Sequence, residues 1–122
     1  MSTNTYTNAK VKLRGKTTIY TAPSSGTSIV KSIRITNTDE NADHDITLSV
    51  TDSSNVEFIL EINRVIQKAS SQELLATGTM KNDTADDSMV GANPIILKSS
   101  EILKATTTGS EIHLVASILE MT

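Results

Sequence analysis

Two histidines and fourteen carboxylates are the side chains of this 122-residue sequence best suited to acid–base or metal chemistry near neutral pH. His44 lies in Asp43-His44-Asp45. Flanking carboxylates favour the charged imidazolium, and a metal ligand or general base could be built from such a run. Catalysis by a nucleophile also needs a base and an orienting group. Neither a candidate nucleophile nor a second histidine stands near His44, which therefore reads as an exposed loop histidine. His113 alternates with apolar neighbours and reads as the polar face of a strand. Two acidic clusters, Asp39, Glu40, Asp43, Asp45 and Asp83, Asp86, Asp87, offer the oxygen ligands that calcium takes. Neither has the spacing or the turn glycine of a calcium-binding loop, so both read as solvated charge. The absence of Cys excludes thiolate zinc sites and disulfides. No glycine-rich phosphate loop occurs, and three aromatics (Tyr6, Tyr20, Phe58) cannot line a sugar-binding cleft. The expectation is a protein that is not an enzyme, with no cofactor, no metal and no small-molecule substrate.

The elements that would position these residues are strands. Ile, Thr and Val are abundant, and β-branched side chains suit a pleated surface. Val11 and Leu13 alternate with Lys10, Lys12 and Arg14, which predicts a strand with one charged face. Residues 17–21 continue it, and Pro23-Ser24-Ser25-Gly26 stops it: proline presets the turn and cannot donate to a ladder. Residues 28–37 form the next strand, with Ile29, Ile33 and Ile35 expected on one face and Val30 and Arg34 on the other. Asn37 is placed to satisfy backbone groups where that strand ends. In 45–51, Ile46, Leu48 and Val50 are expected inward. Residues 56–62 alternate as a strand, although apolar positions through 69 would also fit one helical face. Residues 72–76 read as a turn and 78–91 as a polar surface loop. Strands follow at 94–98 and 101–106, a turn at 107–110, and a closing strand at 112–121. That last strand is apolar on one face and half apolar on the other, as in a sheet centre or against a partner. Seven to nine short strands separated by turns predict an all-β, single-domain antiparallel sandwich of jelly-roll type. Residues 1–16 would be an N-terminal arm or first edge strand, and 17–122 the sandwich.

Charge is unevenly laid out. Six bases and no acid precede Asp39; from there on, fourteen acids stand against five bases, for a net charge of −3. A basic arm meeting an acidic neighbour would use such a layout. The acidic remainder would repel phosphate, so no nucleic-acid partner is expected. No apolar run approaches the roughly 18 residues of a membrane span, and residues 1–9 lack the basic start and apolar stretch of a signal peptide. The expectation is a soluble, cytoplasm-made protein without a membrane partner.

Thr18-Ile19-Tyr20-Thr21-Ala22-Pro23, the polar turn Ser24-Ser25-Gly26-Thr27 and Val30-Lys31-Ser32-Ile33-Arg34-Ile35-Thr36-Asn37 resemble a recurrent opening of small virion structural proteins of tailed bacteriophages. Pro94-Ile95-Ile96-Leu97, Glu101-Ile102-Leu103 and residues 112–120 resemble them too. The likeness covers residues 18–51 and 94–121; the middle, 63–92, departs from it. It implies a virion protein assembled in bacterial cytoplasm, with a capsid decoration or cement role ahead of a neck, tail, baseplate or receptor-binding fibre-tip role. Its partners would be other virion proteins and further copies of itself, with no catalytic residues to carry over. The residues expected to make those contacts are Lys10, Val11, Lys12, Leu13 and Arg14 on the arm and Val115, Leu119 and Met121 on the closing strand.

Overall fold

The computed structural model describes residues 4–75 and 94–121; the surface loop expected at 78–91 lies outside them. Seven strands appear: β1 (Asn4–Thr21), β2 (Thr27–Asn37), β3 (His44–Thr51), β4 (Glu57–Ile66), β5 (Ser70–Glu73), β6 (Ile95–Leu97) and β7 (Ile102–Met121). The 56–62 segment is therefore strand, not helix. No turn separates two strands at 107–110: β7 continues through it as one strand, with a register break against β1 between Thr107 and Ile112.

All pairings are antiparallel. β1 follows β7 for its whole length, from Asn4 opposite Met121 to Thr21 opposite Ile102. On the other side of β7, β2 takes residues 112–121 and β3 takes 102–107. β4 then adds to β3, and β5 and β6 add to β2. The result is a ribbon four strands wide, in which β1 and β7 cross two successive halves. The first half holds residues 4–13, 112–121, β2, β5 and β6. The second holds residues 15–21, 102–107, β3 and β4.

Two short links fix how this ribbon is shaped. A straight 18-residue strand spans roughly 60 Å, yet the link from β1 to β2 joins opposite ends of the ribbon and can reach only about 20 Å. The ribbon must therefore fold over. The link between β6 and β7 makes the same crossing, and the two links bond to each other: Ala22 N donates to Glu101 O (2.8 Å) and Ser100 N to Pro23 O (3.0 Å). Beside them the Tyr20 hydroxyl of the second half donates to the Glu120 carboxylate of the first and lies 3.0 Å from Ser28 Oγ. Burial pushes the Tyr20 pKa up to about 12, with help from the Glu120 carboxylate. A long antiparallel ribbon folded on itself is the arrangement of a jelly roll, and the fold is all-β and jelly-roll-like.

The bend has a device in each part of the ribbon. Gly15, at φ +61°, sits opposite the point where β7 carries extra residues between Thr107 and Ile112 against β1, and a left-handed backbone there costs glycine no strain. Gly109 lies under the His44 ring, where an added Cβ would come within 2.6 Å of Cγ. Between β2 and β3, buried Asn37 donates to Ala42 O and Ile66 O (both 3.0 Å) and accepts from Asp39 N (2.9 Å). Ala69 adopts φ +52° and donates its N–H to Asp39 O (3.0 Å).

Folding over encloses a core of aliphatic side chains, with Leu13, Val30, Ile33, Ile35, Ile46, Leu48, Leu103, Leu114 and Ile118 all nearly inaccessible. Bulges decide which residues reach it. A register shift between Val30 and Ser32 moves the inward face of β2 from even to odd positions, so Ser28 and Val30 are buried while Ile29 turns outward, against expectation. One unpaired residue reverses the alternation of everything after it. β3 has none on its β7 side, where the register is unbroken from Ile46 to Thr51: Val50, opposite Leu103, packs half-buried against the core as expected, and Ser49 is covered on the other face, where it donates to Glu57 (2.6 Å).

Candidate interaction surface

Residues 4–16 are bonded to β7, and the expected boundary at 16/17 falls inside β1. Alternation along this segment sends Val11 and Leu13 inward. Leu13 is 1% exposed and Val11 packs against the core, so these two hold the sheet together and Leu13 has no surface to offer. Lys10, Lys12 and Arg14 are exposed.

On β7 the residues opposite Lys10 and Lys12 are Val115 and His113, and beyond them on β2 lie Arg34 and Thr36. One row of the outer face of the first half therefore reads Lys10, Val115, Arg34, and the next Lys12, His113, Thr36. None of Lys10, Lys12 or Arg34 has an ion-pair partner among the described residues. The carboxylate at the end of the first row, Glu73, is turned to the backbone, where it accepts from Ile33 N (2.7 Å) and Leu75 N (3.3 Å). A shallow groove of about 230 Å³, lined by Lys10, Val11, Lys12, His113, Leu114 and Val115, runs between β1 and β7.

Two rows further along the same face, Tyr6, Leu119, Ile29 and Ile96 stand side by side on β1, β7, β2 and β6. Tyr6 is 74% and Ile96 58% exposed; Leu119 and Ile29 are half-buried, as is Met121 at the end of the face. Adjacent strands stand about 4.8 Å apart, so this is a continuous apolar row, roughly 15 Å long, beside a cationic patch. The expected contact residues Lys10, Lys12, Val115, Leu119 and Met121 are thus brought to one face. Tyr6, Ile29, Arg34 and Ile96 join them there. Their signal in the sequence was the outward position opposite a core residue, which only the register reveals.

The chemistry elsewhere is structural. His44 Nε2 lies 2.9 Å from Asp39 Oδ2, both partly buried at the bend. The Asn41 backbone N–H, and after it His44, hold the Asp39 carboxyl below the usual carboxylate range. With its ring against Gly109, His44 closes the corner between β3 and β7. His113 is exposed on the outer face. Among the described residues no group of three or more His, Asp or Glu side chains could hold a metal ion, and no helix is long and apolar enough to cross a membrane.

No protein-family model and no curated protein matches the chain. Several solved structures are similar to it. A pentameric capsid protein isolated from metagenomic phage sequences is 20% identical with a TM-score of 0.42, over 94% of this chain and 64% of that one. The acid-stable capsid of Helicobacter pylori bacteriophage KHP30 contains a chain 13% identical with a TM-score of 0.45, over 100% of this chain and 94% of that one. In infectious bursal disease virus, strain Gx, the values are 10% and 0.46, over 99% of this chain and 31% of that one. The chain spans about three fifths of the pentameric phage capsid proteins.

Proposed function

We propose that this chain is a virion structural protein that works by attachment, in the role of a capsid decoration or cement protein, and that the outer face of its first half is where it meets the particle. The observation that carries this reading is the pairing of an exposed apolar row with an unopposed cationic patch on one flat sheet face. Neither half of that face serves the folded chain itself: the core is already sealed beneath it, and the cations lack partners among the described residues. A phosphate backbone would use the cations and leave Tyr6, Leu119, Ile29 and Ile96 in water. An acidic protein surface with apolar contacts uses both, the complementarity that orients and selects partners. The likeness of residues 18–51 and 94–121 to small phage virion proteins points the same way. Many copies on one particle would turn modest single contacts into firm attachment. A fibre-tip role is less well served, because the 38–45 loop is spent on building the bend.

The test is to follow the protein on purified particles. Charge reversal at Lys10, Lys12 and Arg34 together leaves the fold intact, since all three are exposed, and lowers loading tenfold or more, the equivalent of about 1.4 kcal/mol. Wild-type loading weakens with added salt. Hundreds of copies per particle fit decoration; a few dozen place the protein in neck, tail or baseplate instead. A protein missing from particles, or a reversed variant that loads like wild type, refutes the proposal.

A further inference from the structure

β4 is the last strand of the second half, and its outer edge has no partner among the described residues. It is also the greasiest exposed segment of the molecule. Ile62 is 67% and Phe58 55% exposed, and Val56, Ile59, Leu60 and Val65 are nearly as open. β3 advances fewer residues than β4 at two register shifts, so the apolar side chains of β4 fall on both faces of the strand and the core takes only Ile66. None of these exposed side chains is covered by the folded chain.

We propose that copies of this chain associate through β4, the edge of one copy lying against the same edge of a second. The proposal deepens the attachment reading above, on which it rests, by naming a second contact and its occupant. Charge selects that occupant. Glu57 is already paired with Lys16 (2.8 Å) and Glu61 with Arg64 (2.7 Å), so the edge is electrically neutral. An isologous contact sets one surface against itself, which a neutral apolar edge tolerates and the cationic face does not, because like charges would be opposed. The backbone agrees. An edge strand offers unpaired N–H and C=O groups that a second strand can satisfy. The register shifts at Leu60 and at 62–63, where Asn63 adopts φ +49°, interrupt the ladder, so regular pairing is confined to 57–59 and the exposed side chains beyond carry the rest of the contact.

Sedimentation equilibrium of the full chain tests this. The wild type is expected to sediment at a multiple of the chain mass, and Ile62→Asp and Phe58→Asp at the mass of one chain, with unchanged circular dichroism and a melting temperature that, unlike the wild type's, does not rise with protein concentration. A second readout uses the absence of cysteine. Under mild oxidation Ile62→Cys is expected to form intermolecular disulfides far faster than Val115→Cys. A wild type that stays monomeric at the highest soluble concentration, oligomers that survive both Asp variants, or equal cross-linking at 62 and 115 would overturn it. The same variants on particles separate the two proposals. An oligomer that never loads sinks attachment and spares self-association, whereas a monomer that loads does the reverse.

Discussion

β1 and β4 each leave one edge of the sheet without a partner among the described residues, and they meet water in opposite ways. β1 spends its apolar side chains inward, on Val11, Leu13 and Ile19, and shows solvent Lys10, Lys12, Arg14 and Lys16. Charges on an edge strand, lysines above all, discourage another chain from pairing with it. β4 buries almost nothing and carries five exposed apolar residues, with Val56 just ahead of it. A molecule that guards one edge and leaves the other bare has one edge meant to remain free and one meant to be covered. The greasier strand is therefore the less important of the two for the stability of the single chain.

The largest effect that can break this comparison lies on β1. Leu13→Ala is expected to cost about 2–5 kcal/mol, because it opens a cavity in a closed aliphatic core, whereas Ile62→Ala on β4 should stay within about 0.5 kcal/mol for the monomer. Urea unfolding of both at low protein concentration measures the contrast, and equal losses would mean that β4 is part of the core. A smaller effect sits at the end of β1. Tyr20→Phe removes the bond between the two halves and should cost about 1 kcal/mol. The Tyr20 pKa is raised from 10 to about 12 in the folded chain, so its contribution is complete below pH 10 and is lost as pH climbs toward 12. Alkaline melting curves of wild type and Y20F should therefore converge over that interval. The smallest effect belongs to β4. The Lys16 ammonium, and after it the Ser49 hydroxyl, hold the Glu57 carboxyl below the usual range. Its contribution is present above the ordinary carboxylate pKa and fades as pH falls through the lowered one. Glu57→Gln should flatten that slight acid dependence and change stability little at pH 7.

Most of the architecture could be read from alternation. Every strand except β5 overlaps a segment read as extended, although β1 starts ahead of Lys10, β4 runs on past 62 and β7 joins two segments that the expected turn at 107–110 would have separated; Pro23 follows the end of β1, and Asn37 ties the corner as expected. What could not be read is where alternation slips. Ile29 and Val30 exchange roles because a bulge is a pairing event between strands and leaves no mark in the composition of either. Thr107-Thr108-Gly109-Ser110 has the composition of a turn, yet its glycine serves a close approach to His44. The proposed contact face was half legible: Lys10, Lys12, Val115, Leu119 and Met121 share a surface, whereas Leu13 belongs beneath it. β4 was legible as a strand but not as an exposed one. Apolar residues on both faces describe a central strand as well as a docking edge, and only the strand order separates them.

The position of β7 carries a consequence for how the chain comes to be folded. Both long partners of this central strand precede it in the chain, and Asn4 waits for Met121 before it can pair. Such distant contacts slow folding to the millisecond-to-second range. On a ribosome, β3 and β4 can pair as a hairpin as soon as they emerge, but β1, β2 and β3 all precede the strand that joins them, so the core between the two halves stays open to wrong partners until β7 has been made.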